Sequence, residues 1–317
     1  MARLRLRTGS RTQRRELVEK AMQACFMLNG TVAILALAGI LIFLLKESLP
    51  ALVELGPGAT ILGTRWNPTS MNPGYGMLPL IVSTIMVTVG ALIIAVPWGI
   101  ATAAYISEVA TVRLKEMLKP AVEMLAIFPS VIFGFIGLVV VAPAVARVFG
   151  MTNGQVALTG SITLAIMALP TIVSVAEDAI TGVSRDYREA AYALGATRWQ
   201  AVRMVVLPAA RSGITAAVML AFGRAVGETM AVLMTTGNAT GMPLTEVLGF
   251  ITGPDFLASV RTLTANIAQE GLNVPWGSLH WQALFLCGLI LFILTFAVNL
   301  TADLVMHRPA GGRRRVS

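Results

Sequence analysis

Residues 189–208 read EAAYALGATRWQAVRMVVLP, a polar-studded stretch set between two long apolar runs. Around it, Asp186, Arg188, Glu189, Arg198 and Arg203 alternate with Tyr187, Ala190, Ala191, Leu194 and Trp199. That alternation predicts a short amphipathic helix, a turn at Gly195, and a second helix ending at Leu207-Pro208. Gly195 suits the turn because glycine reaches positive φ without a Cβ clash. Ala190 and Ala191 carry so little side chain that another protein surface can approach closely.

The flanking runs set the class. Of 317 residues, 56% are hydrophobic and only 13% charged, against about 25% charged in soluble domains. The mean hydropathy is +0.76. A bilayer core of about 30 Å takes roughly 20 apolar residues per helix, and six segments qualify, near 21–45, 77–106, 120–146, 156–176, 209–236 and 279–306. The expectation is an all-α, polytopic membrane protein with six transmembrane helices over 21–306, flanked by basic tails at 1–20 and 307–317. Pro97, Pro129, Gly134, Gly137 and Pro170 fall inside these segments, where neighbouring helices can satisfy freed backbone groups. The arginine-rich start mimics a signal peptide, but an h-region runs about 7–15 residues. Here Ala21–Leu45 is longer and leads into Lys46-Glu47-Ser48-Leu49-Pro50 with no small-residue cleavage site, so a retained first helix is expected.

Basic residues orient the spans. Nineteen of the 24 Lys and Arg fall in the N-terminal tail, the 107–119 and 177–211 loops, and the C-terminal tail. The opposite loops hold only Lys46, Arg65, Arg147 and Arg261. Both termini and the 184–208 loop are therefore expected on the cytoplasmic face of a bacterial inner membrane. The net charge of +8 reflects this segregation, so no nucleic-acid partner is inferred. The opposite face carries two Gly- and Pro-rich segments, about 47–76 and 237–278, in which Trp66 and Trp276 are placed at headgroup level.

Several chemistries are missing. No G-x-x-x-x-G-K-[ST] phosphate loop and no H-E-x-x-H occurs. The histidines, His280 and His307, lack catalytic neighbours in sequence and read as structural or solvated. Cys25 and Cys287 both lie in apolar runs, so neither a disulfide framework nor a metal site is indicated. Glu108, Glu123, Glu177 and Asp178 sit near the cytoplasmic boundary, where solvated or interhelical positions explain them. The 16 methionines read as packing.

Two charges resist that treatment. Arg224 and Glu228 lie in the fifth apolar segment, Arg224 thirteen residues past Arg211 and so roughly 20 Å into a regular helix. Each charge costs at least about 2.5–3.5 kcal/mol at such depth. Their i, i+4 spacing places both on one helical face, within pairing reach. Gly223 and Gly227 beside them admit close helix approach or a local distortion. Two readings stay open: an Arg–Glu lock between helices, or a pathway in which Arg224 donates to a crossing oxyanion and Glu228 orients it or accepts from a protonated solute.

The spacing Glu189-Ala190-Ala191, three residues, Gly195, nine residues, Val205, one residue, Leu207-Pro208 resembles the EAA loop by which permease subunits of ABC importers dock onto their ATPases. Val205 stands where that family often has isoleucine. An ordinary interfacial helix would share the amphipathy but not this spacing. VAEDAITGVSRDYREAAYALGATRW (175–199), LPAARSGI (207–214) and GRAVGETMAVLM (223–234) are similar to the membrane subunits of the bacterial phosphate-specific ABC importer. So are GMLPLIVSTI (76–85), IFPSVIFGFIGL (127–138) and VRTLTANIAQE (260–270). The long basic N-terminus, Trp66-Asn67-Pro68 and GSLHWQALF (277–285) resemble the PstC type.

The resemblance implies a type I (MetI-like) permease fold and alternating access. It implies a paralogous permease partner, two ATPase subunits that carry the ATP and Mg, and a periplasmic phosphate-binding protein. This chain would bind no cofactor and catalyse no reaction. Glu189, Ala190, Ala191, Gly195, Leu207 and Pro208 would form the ATPase coupling surface, with Arg224 and Glu228 on the translocation pathway. Another oxyanion (sulfate or molybdate) and a membrane role in phosphate signalling stand as alternatives.

Overall fold

The second and fourth spans make the most extensive helix pair of the molecule, Leu78–Ala104 against Ala157–Thr181, and the rest is laid around it. The computed structural model describes residues 2–247 and 251–306; the expected tail at 307–317 lies outside the described residues. Small residues let this central pair approach: Ala91, Ala95, Ala157, Ala165 and Ala168 are all buried with Val87, Leu164, Met167 and Ile172. Lipid tails are as apolar as these side chains, so close packing and interhelical hydrogen bonds hold such helices together. The Ser161 hydroxyl supplies one, donating to the Val87 carbonyl at 3.2 Å.

Among the described residues five helices are long and apolar enough to cross a bilayer: Val18–Leu55, Leu78–Val109, Ser130–Phe149, Ala157–Thr181 and Leu279–Thr301. A sixth crossing follows if the bent pair Arg198–Ala209 and Arg211–Gly227, 69° apart, counts as one. The first helix runs unbroken from Ala2 to Leu55, so the expected basic tail is its beginning and not a separate element. It packs mainly on the last helix, Leu279–Met306, and its apolar side chains otherwise point outward.

Two segments expected as single helices are broken. The run at 120–146 divides at Phe128-Pro129: the helix Val112–Ile127 stops, and Ser130–Ile136 begins afresh before a wider π turn over Gly137–Val141. Proline crowds the residue before it out of the α region, and Phe128 sits at φ −60°, ψ 135°. The run at 209–236 stops at Gly227, Glu228 is extended at φ −69°, ψ 131°, and Met230–Thr235 forms a short new helix.

Segments 47–76 and 237–278 fold as short hairpins and two short helices, the first of them Pro57–Ile61. Trp66–Asn67 pairs with Gly74–Tyr75, Leu244–Val247 pairs with Ile251–Pro254, and Leu263–Glu270 is helical. Trp66, expected at headgroup level, is shielded within this chain: it is 2% exposed in a core with Met77, Leu80, Leu263 and Leu286. Burial is tolerable because its indole N–H donates to Glu270 at 3.2 Å. Trp276 is exposed and stacks on Trp281 at 4.8 Å.

Candidate coupling surface and translocation pathway

The 184–208 loop forms the expected helix–turn–helix, and its ends are fixed by local chemistry. The Ser184 hydroxyl accepts from the Asp186 amide at the start of the first helix, Arg185–Ala193. Gly195 closes the turn at φ +83° with its own amide donating to the Tyr192 carbonyl at 2.9 Å. Thr197 and Gln200 then make a reciprocal capping box that starts the second helix at Arg198. That helix widens into a π turn over Val202–Val206 and finishes at Leu207–Ala209.

The hairpin has two faces. Ala191, Ala201, Val202 and Val206 are buried against the bundle, with Leu207 half-buried. Glu189, Ala190, Gly195 and Pro208 are exposed. Tyr187, Leu194, Trp199 and Met204 also stand out, Leu194 at 90% exposure. An apolar patch with a polar rim on a membrane protein's soluble hairpin marks a protein contact surface.

What holds the hairpin is a carboxylate outside it. Glu108 lies in the π turn, Tyr105–Val109, that ends the second span. Arg188 donates to it through Nη2 at 2.6 Å and through Nε at 3.1 Å, and also caps the Ile180 carbonyl at 2.9 Å. Arg198, from the second hairpin helix, donates to the Glu108 backbone carbonyl. Beside this clasp an apolar cavity of about 580 Å³ separates Pro97–Val109 from Arg198–Leu207. The ionic clasp therefore joins hairpin to span together with the apolar packing of Val206 and Ala210 on Ala103. Sequence reading left Glu108 as one of several boundary charges; its only cue was an acid in the last turn of an apolar run.

A second ionic knot ties the helix Val112–Ile127 to the C-terminal end of the fourth span. Glu177 is 1% exposed, bound by Lys115 at 2.6 Å, Lys119 at 2.7 Å and the Thr181 hydroxyl at 2.7 Å. Asp178 takes Lys119 at 2.6 Å. Hydrogen bonds from Asp178 and then Glu177 hold the Lys119 ammonium above its ordinary pKa.

Deeper in the bundle the two helix breaks meet. Gly134, just past the Pro129 break, lies so close to Met230–Thr235 that a Cβ there would stand 2.9 Å from the Ala231 Cα. Half-buried Arg224 donates through Nη1 to Thr171 Oγ1 at 3.2 Å and through Nη2 to the Ala126 carbonyl at 3.5 Å, near the end of the helix Val112–Ile127. The i, i+4 pairing expected for Arg224 and Glu228 does not form: among the described residues no ion pair joins them. The helix ends at Gly227, which turns Glu228 away; its Oε1 instead accepts from the Ala231 amide at 3.2 Å and starts the next helix. A Cβ at Gly223 or Gly227 would meet nothing within 4 Å, so neither glycine serves close helix contact within this chain. Arg224 thus keeps guanidinium donors at the junction of two broken helices, an arrangement by which membrane transporters present charge and free backbone groups to a solute. No group of three metal-ligating side chains occurs among the described residues.

A bundle with an exposed hairpin at one end and broken helices inside suits a transport permease, and the relatives are transport permeases. The chain belongs to the family of binding-protein-dependent transport system inner membrane components, whose model matches residues 95–310. Its kinship narrows to the PstC type. Phosphate transport system permease protein PstC of Mesorhizobium japonicum is 34% identical over 87% of this chain and 86% of its own length. PstC of Haemophilus influenzae is 32% identical over 92% and 94%. The probable ABC transporter permease protein YqgH of Bacillus subtilis is 35% identical over 97% and 95%. Among solved structures, a bacterial ABC transporter involved in the import of the acidic polysaccharide alginate superposes at a TM-score of 0.58, covering 92% of this chain and 99% of that one. A second alginate transporter structure, with its periplasmic protein bound, gives 0.59 over 89% and 94%. At 15% and 16% identity these establish the fold alone, a type I importer permease.

Proposed function

We propose that this chain is one permease subunit of an ATP-driven importer that carries inorganic phosphate across the bacterial inner membrane by alternating access. The observation that carries the reading is the joint at Ala210. Between the hairpin helix Arg198–Ala209 and the helix Arg211–Gly227 that bears Arg224, only this one residue, 4% exposed, intervenes. A push on the hairpin therefore reaches Arg224 through a single elbow. The PstC names of the relatives support phosphate as the solute.

Work enters at the exposed face formed by Glu189, Ala190, Gly195 and Pro208, onto which one of two separate ATPase subunits docks; those subunits bind the ATP and Mg and perform the hydrolysis. The Glu108 clasp makes the hairpin move with the end of the second span, and the Ala210 elbow moves the fifth. Rigid-body transfer of this kind needs stiff links, which a bidentate Arg–carboxylate contact supplies. The paralogous permease completes the passage across the open faces of Gly223 and Gly227. On the outer side a periplasmic binding protein delivers phosphate to segments 47–76 and 237–278. At the helix junction Arg224 offers charge-assisted donors to the oxyanion, and the Glu228 carboxylate accepts from a protonated phosphate oxygen, which fully ionised sulfate lacks. Both termini lie in the cytoplasm, with basic residues at 1–20 and 307–317 flanking the permease domain at 21–306.

The test is ATP-dependent uptake of labelled phosphate by vesicles containing the full complex, wild type beside Arg224→Gln. Uptake should fall at least tenfold in the variant, about the loss of one charged hydrogen bond, while assembly and ATPase docking persist. Equal uptake of sulfate and phosphate by the wild type would overturn the solute assignment.

A further inference from the structure

One half-buried carboxylate on the outer face has no part in that mechanism. Glu270 ends the helix Leu263–Glu270 and is bound from three separate parts of the chain. Arg261 donates to it at 2.7 Å, His280 at the head of the last span lies 2.8 Å away, and the Trp66 indole N–H reaches it from the outer hairpin at 3.2 Å. Its side chain is 19% exposed, and those of Arg261 and His280 are 14%.

The same stretch, 260–270, grips the fifth segment at both ends of its short helix. At the inner end the Thr264 hydroxyl donates to the Glu228 carbonyl at 2.8 Å. At the outer end the Val260 amide donates to the Thr236 carbonyl at 2.9 Å and Arg261 Nε to the Asn238 carbonyl at 3.0 Å. Here the chain turns through two successive left-handed residues, Gly237 at φ +85° and Asn238 at φ +64°. The Asn238 Oδ1 is buried with no hydrogen-bond partner. An orphaned acceptor and a left-handed non-glycine residue mark a turn held by its surroundings. Arg261 is thus shared between this turn and Glu270.

We propose that Glu270 is a positioning residue of an outer gate: it fixes stretch 260–270 across the helix Met230–Thr235 and so holds the Glu228 break shut toward the outside. The proposal rests on the import reading above. Two of its partners, Trp66 and Arg261, lie in the outer segments on which a delivering protein would land, and the third, His280, stands at the head of the last span. Displacement of the Trp66 hairpin or of the 237–278 segment frees Glu270, Arg261 releases the Asn238 turn, and the short helix can swing. Opening is then conditional on docking.

Glu270→Gln keeps the shape but removes the charge that Arg261 and His280 recognise; Trp66→Phe keeps the ring and removes one donor. Both are placed in the reconstituted full complex, and ATP hydrolysis is measured with and without phosphate-loaded binding protein, alongside phosphate moved per ATP. Glu270→Gln should raise hydrolysis without binding protein about tenfold, the scale of a lost charged hydrogen bond, and lower the phosphate-to-ATP ratio. Trp66→Phe should shift both the same way by less, and Glu270→Asp should restore part of the coupling. Wild-type coupling in both variants, or losses that only track the amount of assembled complex, would overturn the gate. If Glu270→Gln does not assemble, Trp66→Phe decides alone: unchanged coupling rejects the proposal. Failure of the wild type to move phosphate would instead strike the import reading.

Discussion

Two clasped carboxylates, at opposite ends of the bundle, are used in opposite ways. Glu108 on the inner face is clasped by Arg188 and Arg198, both from one hairpin, and the hairpin's far side stays open. Glu270 on the outer face is clasped by Trp66, Arg261 and His280 from three segments, and little of the cluster is left exposed. A carboxylate with a single client fixes the angle of that client and leaves it free to bind elsewhere. A carboxylate with three clients holds them to one another, and nothing can move until one lets go. The inner hub is suited to conveying motion, the outer to withholding it.

The largest expected effect comes from breaking the inner hub. Arg188 and Glu108 are 16% and 8% exposed, and removing one member of a buried pair costs about 3–5 kcal/mol because the other charge is stranded. Glu108→Gln should cut phosphate uptake more than tenfold and loosen ATPase subunits from the purified complex. If co-purification and uptake both match wild type, the hairpin is held by something other than this clasp. Against it, Glu270→Gln should leave ATPase attachment intact and raise idle hydrolysis, so the two variants move hydrolysis in opposite directions. Identical phenotypes would erase the distinction between the hubs.

A middling effect is expected at Gly195. Its φ of +83° costs an L-residue about 1–2 kcal/mol, and a Cβ there would meet no neighbour within 4 Å. Gly195→Ala should therefore weaken transport several-fold through backbone strain in the turn alone, read as a loss of ATPase stimulation. Gly223→Ala, at an unstrained backbone, should not strain the isolated subunit, and its thermal unfolding should match wild type; any loss should appear only on assembly. A Gly195→Ala complex as well coupled as wild type would show that the turn geometry is dispensable.

The smallest effect concerns the knot at Lys119, whose pKa is raised by Asp178 and Glu177. A raised folded-state pKa stabilises fully below the unfolded value, about 10.4 for lysine, and the contribution fades as pH climbs through the folded value. The knot should thus hold the helix Val112–Ile127 at constant strength from pH 6 to about 10. Thermal unfolding of the purified subunit across that range, compared with Lys119→Met, should show a pH-independent difference. A difference that changes between pH 6 and 8 would assign the titration to another group.

What the sequence reveals here follows the range of each interaction. The hairpin was legible because its determinants are local: an Asp two residues past Ser184, a Gln three past Thr197, and Gly195 at the turn. Helix breaks were only partly legible. Pro129 interrupts a helix, yet Pro97 and Pro170 sit within continuous ones, so the proline itself did not say which. The Arg224–Glu228 pairing failed because i, i+4 geometry presumes an intact turn, and the chain leaves the helix at Gly227. The hubs were hidden for another reason. Glu108 and Arg188 are 80 residues apart, and Trp66 and Glu270 are 204; only the tertiary fold brings such partners together.

The first helix carries a consequence for how this protein is made. Its principal neighbour is the last helix, more than two hundred residues later in synthesis. During translation it must wait in lipid, unpaired, while four further crossings are threaded in. Its side chains are apolar on every side from Val32 to Leu45, as a lone lodger in hydrocarbon requires. Assembly of this permease is therefore a ring closed by its final segment, and a chain truncated before residue 279 would leave that ring open at its starting point.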